Sequence, residues 1–457
     1  MFYIIETEKQ LSRLEDMGHL GCFADIITTS DNFHPALSKV VALYIRPFDE
    51  YVDPETQEPK GYNHGYIIPI DHNEGLCVSE DRAFSVLNKF TKIYVLDKKN
   101  FMYHSCASSK NLIDIGILYS MVNFERLELT VKDKTYNWYY NRYGGVFNIN
   151  QIIPLTKLFE CRENIFNQIE EVFSYKLQQD KTFLYYNDLF PKLYYLVESQ
   201  GIRIDVHNFV ELFKPTNPDF SISGETVYSR YNLCNVTSRP TNSFNAVNFL
   251  AIPKGKKFGQ CFKPRPGCKF VEMDFDGYHV RLVSREIGYK LNLTEKAHKQ
   301  LAKLYFGKSE ISDEEYALAK QTNFKAIYGA IPEEYEHLEF FKKLKNYIRT
   351  LWKEYRTTGE VQNLWGKKFT DKLKGMNPSK LMNYMIQSIE TGRNIEVLYK
   401  VLRYLRDKKT RILLITYDSF LLEWNEEDGK EVLEDVQTLM EKGGFPVHVK
   451  VADDLNF

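Results

Sequence analysis

The sequence predicts a mixed α/β (α+β) protein of several domains, and three observations carry that expectation. Short apolar runs with β character, 40–46 (VVALYIR), 65–70 (GYIIPI) and 92–96 (KIYVL), are interleaved with helical stretches in the N-terminal third. A largely helical stretch follows from about Gln151 to Gln200. From residue 231 to the end, strands and amphipathic helices alternate without another break, as expected of one compact catalytic unit. The turn-rich stretch KPTNPDFSISGE (214–225) reads as a connector, giving expected domains at 1–150, 151–230 and 231–457.

Bulk properties exclude several function classes. A chain of 457 residues with 43% hydrophobic content can bury sizeable cores and is too ordinary for disorder. Its apolar stretches are short and broken by charges, so no membrane span is expected, and MFYIIETEKQ lacks the pattern of a signal peptide. Seven dispersed cysteines with no C-x-x-C read as reduced thiols in a cytoplasm, not as a zinc site or disulfide framework. A net charge of −1 does not advertise a polyanion partner, but a nucleic-acid enzyme needs only a local basic groove. Lysines and arginines gather at 254–269, at 342–354 and at Lys367–Lys368. Such runs are more often solvated faces than nucleic-acid contacts.

The chemistry concentrates in three later segments. In CKFVEMDFDGYHVRLVSRE the β-like run KFVEM ends in Asp274, and a helical pattern begins near Tyr278. A carboxylate at a strand end sits on a rigid rim where a metal can be held; a strand-end turn would read the same way alone. Asp276 is open to two readings, a second ligand or an N-cap. In RILLITYDSFLLEW, Asp418 sits at the tip of a hairpin between two apolar runs, where a lone buried carboxylate is costly unless paired or bound to a cation. Between the two, SDEEYALAKQTNFKAIYGAIP opens with the capping-box pair Ser312 and Glu315 and sets Lys320, Phe324 and Tyr328 on one helical face. A cation beside two rings suits a nucleotide, although aromatic stripes at this spacing are usually core.

These segments resemble, in order and approximate spacing, motifs A, B and C of the family A (bacterial DNA polymerase I type) DNA polymerases. DFDGYHVR resembles motif A, YALAKQTNFKAIYG motif B and Tyr417-Asp418-Ser419 motif C. The resemblance covers roughly residues 190–457. It implies a right-hand palm and fingers (fingers about 291–366), with metal positions at Asp274, Asp418 and Phe275 and catalysis by Asp274, Asp418 and Lys320. Nucleotide contacts are implied at His298, Tyr316, Lys320, Phe324, Tyr328 and His279. DNA contacts are implied at Arg239 in the TSR of YNLCNVTSRPTN, at Asn383 and Gln387 in NYMIQ, and at Tyr417 and Arg281.

Departures qualify that expectation. Only about 30 residues separate GIRID (201–205) from the TSR at 237–239, too few for the family's helical thumb. The N-terminal domain resembles the family's RNase H-like 3′–5′ exonuclease with its chemistry removed: Asp25 remains, while Ile27 and Phe101 fall at two carboxylate positions. His279 stands where the family has the glutamate that blocks a ribose 2′ hydroxyl, and Tyr316 where it has a phosphate-binding arginine. The expected function is primer extension with dNTPs by two-metal phosphoryl transfer, using Mg2+ or Mn2+, without proofreading. The expected partners are primer-template DNA, dNTPs and a replisome or processivity factor, and a phage or plasmid origin would suit so compact an enzyme. Two alternatives stay open: a single-subunit RNA polymerase or primase-like enzyme, and an inactive polymerase-like DNA-binding scaffold.

Overall fold

A computed structural model describes the chain except residues 1–2, 19–20, 30–33, 53–58, 62–63, 106–110, 129–137, 139–140, 143–147, 173–183, 215–221, 243–246 and 253–255. The chain forms two compact units, the first built mainly from Met1–Ser199 and the second from Gln200–Thr216, Gly224–Ser243 and Val247–Phe457.

The first unit is organised by a seven-stranded mixed sheet. Its strands are β1 (Tyr3–Ile4), β2 (Gly21–Thr28), β3 (Val40–Val52), β4 (Pro59–Gly61), β5 (Tyr66–Pro69), β6 (Lys92–Val95) and β7 (Leu112–Asp114). They lie in the order β1-β5-β3-β2-β6-β7, with β4 on β3. The α-helices of five or more residues are α1 (Glu8–Glu15), α2 (Glu80–Leu87), α3 (Lys98–Met102), α4 (Ile115–Asn123), α5 (Leu155–Val172) and α6 (Phe190–Glu198) among the described residues. Neighbouring residues of a strand face opposite sides, so Phe23, Ile27 and Tyr44 join one core and Cys22, Ala24, Leu43 and Ile45 the other. Burial on both faces explains why VVALYIR reads as an unbroken apolar run.

The domain boundary expected near residue 150 lies instead at Ser199/Gln200. Helix α5, expected in a separate connector, supplies Leu155, Leu158, Phe159, Ile165, Phe166 and Ile169 to the core of the first sheet. Its apolar stripe is as amphipathic as that of any connector helix, so its partner could not be read from the sequence.

In the second unit a four-stranded antiparallel sheet carries the site. Its strands are β8 (Cys268–Phe275), β9 (Arg411–Thr416), β10 (Ser419–Asn425) and β11 (Val447–Ala452), in the order β9-β10-β8-β11. The unit's α-helices of five or more residues are α7 (Val206–Phe213), α8 (Tyr278–Glu286), α9 (Ala297–Phe306), α10 (Asp313–Ile327), α11 (Glu339–Thr358), α12 (Pro378–Tyr404) and α13 (Glu431–Glu441) among the described residues. Helix α10 starts on the expected capping box, with Ser312 and Glu315 each accepting from the other's backbone N–H. Helix α12 is capped by Asn377 and has Pro378 in its first turn. Among the described residues, the segment between Asp205 and Thr237 holds one helix, the eight-residue α7, and three two-residue strands. No helix among the described residues is long and apolar enough to cross a membrane.

Candidate active site

Register places the two aspartates. On β8, Asp274 lies opposite Ser419 of β10 on one side and His448 of β11 on the other. Residues directly opposite in an antiparallel pair share a face, so Ser419, Asp274 and His448 form a row across three strands. Asp418 sits in the two-residue turn between β9 and β10, where Thr416 pairs with Ser419. The turn puts Tyr417 at φ +59, a left-handed conformation that a bulky residue keeps only when its surroundings impose it. They do: Asn394 of α12 donates to the Tyr417 carbonyl at 2.7 Å, and the Arg239 guanidinium lies 3.7 Å over the Tyr417 ring.

Both carboxyls are electrostatically uncomfortable. Burial, reinforced by Asp418 and Glu272, pushes Asp274 up to about 7. Burial and the nearby Glu390 raise Asp418 as well. A divalent cation would relieve this repulsion. Among the described residues no three His, Cys, Asp or Glu side chains gather as a ready-made metal cage. Two carboxylates are nevertheless the donor set that suits Mg2+, which retains water and completes its shell with substrate phosphates. Phe275 cannot contribute through its side chain, which is buried and stacked on Tyr278 at 4.3 Å, so only its backbone carbonyl is a potential donor.

The aspartates open onto a cavity of about 740 Å³. Helix α10 contributes Tyr316, Lys320, Phe324 and Ile327, followed by Tyr328; α9 contributes His298, and Lys296 just ahead of it; β11 contributes His448 and Lys450. His298 is buried, which together with Lys320 lowers it to about 4, so the ring is neutral near pH 7. The Asn323 amide nitrogen lies 3.0 Å from its Nδ1, which puts the ring proton on Nε2. Phe324 stacks on the same imidazole at 5.9 Å.

His279, also in the lining, connects to a buried network. Its Nδ1 lies 2.7 Å from the Tyr328 hydroxyl and its Nε2 3.1 Å from Glu390 of α12. Glu390 also holds Arg239, at 2.6 and 3.1 Å. Burial pushes the Glu390 carboxyl up, but His279 and Arg239 outweigh it and hold the group below the usual carboxylate range.

Eleven expected site residues therefore line one cavity: Asp274, Phe275, Asp418, Lys320, His298, Tyr316, Phe324, Tyr328, His279, Arg239 and Tyr417. Asn383 and Gln387 lie outside its lining on α12, bonded to each other at 2.9 Å, with Thr237 donating to Gln387 at 3.2 Å. Arg281 corrects the expectation of a DNA contact. It is buried, and its guanidinium donates to Asp276 and to the carbonyls of Asn292 and Glu295. Two residues along a helix is a turn of about 200°, so with His279 facing the cavity Arg281 faces away. Asp276 is not the cap of α8, a position held by Gly277, and it lines the same cavity as Asp274. Its Oδ2 accepts from Arg281 and from the Ala297 N–H, tying the start of α9 to the end of β8.

Sequence reasoning missed Glu390, Lys296 and His448. Glu390 follows Asn383 at i+7 and Gln387 at i+3 on one helical face, and His448 and Lys450 alternate along the last strand; both patterns are visible once the face is known.

No protein-family model and no curated protein matches this sequence. Among solved structures, the chain is similar to the POL domain of Pol1 from M. smegmatis, in complex with DNA primer-template and dNTP. The TM-score is 0.68 at 14% sequence identity, over 100% of this chain and 99% of that one. The likeness is one of fold: the mixed α/β architecture is that of a polymerase domain.

Proposed function

We propose that this chain is a template-directed DNA polymerase that adds dNTPs to a primer 3′ end. The observation that carries the reading is the single cavity shared by a strand-end aspartate and a hairpin-turn aspartate, both with raised pKa values, and by Lys320 and neutral His298. Asp274 and Asp418 would hold Mg2+, with Mn2+ as a substitute. When bound, such ions lower the pKa of the attacking 3′ hydroxyl and neutralise charge on the departing pyrophosphate.

The chain's own groups do the rest. Lys320 offers a point charge to the triphosphate, and the proton on His298 Nε2 is positioned to donate to a phosphate oxygen. Phe324 of α10 and Tyr328, four residues on at the end of that helix, give the base an aromatic wall. His279 and Tyr328, bonded to each other, border the sugar and set the choice between deoxyribose and ribose. Arg239, Asn383, Gln387 and Tyr417 are the candidate duplex contacts. With only α7 among the described residues between Asp205 and Thr237, a duplex-gripping thumb is reduced, and a processivity partner is the expected complement.

In this reading the first unit is an exonuclease-like domain without exonuclease chemistry. Asp25 on β2 is paired with Arg162 of α5 at 2.8 Å, so a side-chain cation occupies its carboxylate. Ile27 and Phe101 are buried in the two cores and cannot ligate a metal.

Primer extension on a defined template, with dNTPs or NTPs and with or without Mg2+, tests the reading. Mg2+-dependent addition of templated dNTPs is expected, with NTPs used less well. A pure, folded protein that extends no primer with either metal would favour the scaffold reading instead.

A further inference from the structure

Four side chains bring formal positive charge to the cavity wall: Arg239, Lys296, Lys320 and Lys450. Two are already neutralised, Arg239 by Glu390 at 2.6 Å and Lys450 by Glu272 at 3.1 Å. Lys296 and Lys320 form no ion pair or side-chain hydrogen bond among the described residues. Lys296 immediately precedes α9, and its ammonium lies 5.8 Å from the centre of the Tyr316 ring. Tyr316 is one turn before Lys320 on α10, so the Tyr316 ring and Lys320 follow one another by about 6 Å along the same helical face. Helices α9 and α10 pack together, and the Ala297 N–H is fixed by Asp276, which anchors the residue after Lys296 to the rim of β8.

We propose that Lys296 is a second phosphate-holding cation, steered by the Tyr316 ring, and that Lys296 and Lys320 together clamp a chain of linked phosphates. This rests on the nucleotide-binding reading above. It adds a charge beside Lys320 at the turn of α10 where Tyr316 presents a ring and a hydroxyl but no cation. Two like charges directed into one cavity repel each other until an anion lies between them, and a linear polyphosphate can contact both where a single phosphate reaches one. The ring keeps the flexible lysine at the wall instead of in bulk water, through a cation–π contact that leaves its N–H donors free for phosphate. Lys296 is thus a binding residue, acting on affinity for the nucleotide more than on the chemical step.

The test uses the full chain and inorganic tripolyphosphate with Mg2+, followed by titration calorimetry, alongside primer extension with dNTPs. Lys296→Gln is expected to weaken tripolyphosphate binding about tenfold and to raise the KM for dNTP by a similar factor, as fits the loss of one charge-assisted contact. The same variant should leave kcat within about twofold, and Lys296→Arg should restore most of the affinity. Lys450→Gln removes a cation that is already paired, and should change binding by less than about twofold. Equal tripolyphosphate affinity in wild type and Lys296→Gln would overturn the proposal, and so would an equal loss in Lys450→Gln, which would make the effect one of bulk charge. If wild type extends no primer but Lys296→Gln still weakens tripolyphosphate binding, the polymerase reading fails and the clamp stands.

Discussion

Asp274 is the residue whose environment most constrains what the site can be. Its carboxyl is raised to about 7, chiefly by burial and then by Asp418, so between the unfolded value of 3.8 and about 7 the native state holds a proton that the unfolded chain has lost. Native stability of the metal-free protein therefore falls as pH rises through that window. Mg2+ competes with the same proton, so its stabilising shift in Tm is expected to be larger at about pH 8 than at about pH 5.5. An equal shift at both would show that these carboxyls do not hold the ion. Glu390 presents the inverse case, a buried carboxylate kept charged by His279 and Arg239. Glu390→Gln leaves Arg239 without its counter-charge and is expected to cost roughly 3 kcal/mol in urea unfolding. It should also loosen discrimination between dNTPs and NTPs, because His279 loses the carboxylate charge that it faces; unchanged stability and sugar choice would refute that role. Asp274 and Asp418 were legible because each follows an apolar β run. Glu390 was not, because nothing in a long helix tells a buried glutamate from a solvated one until the partner segment carrying Arg239 is placed beside it.

At the scale of elements, strand alternation and helix capping were readable and tertiary pairing was not. The capping box of α10 and the hairpin around Asp418 follow from local chemistry and were expected. The pairing of β11 with β8, which puts His448 opposite Asp274, joins residues far apart in the chain and leaves no local trace. The link from β8 into α8 shows how tightly the elements fix the site. Gly277 has φ +52, and a Cβ there would stand 2.8 Å from the Ala297 Cβ. Gly277→Ala therefore combines a disfavoured backbone with a clash against α9, and should destabilise the protein by about 1–3 kcal/mol while displacing Asp276 and His298. A urea midpoint and dNTP KM equal to wild type would show that this close approach is not needed.

For the whole molecule, the fold class was legible from the spacing of strands and helices, whereas the boundary between units was not. Helix α5 belongs to the first unit because its apolar stripe completes that core, and composition alone could not show which sheet it covers. Under the proposed function, the short segment after Asp205 bears on how firmly a template would be held. Fewer phosphate contacts imply weak grip and short runs, so extension in a single encounter, with a trap for free enzyme, should give products of about ten nucleotides or fewer. Products hundreds of nucleotides long would require a grip that the proposed contacts do not supply. The central claim is that Asp274 and Asp418 form one metal-dependent centre for nucleotide addition. The most direct measurement is the single-turnover rate of templated dNTP addition, in saturating Mg2+, by wild type, Asp274→Ala and Asp418→Ala. The prediction is a loss of about a thousandfold or more in each variant, with Tm in the absence of metal equal to or above that of wild type. Addition by either well-folded variant at close to the wild-type rate would contradict it.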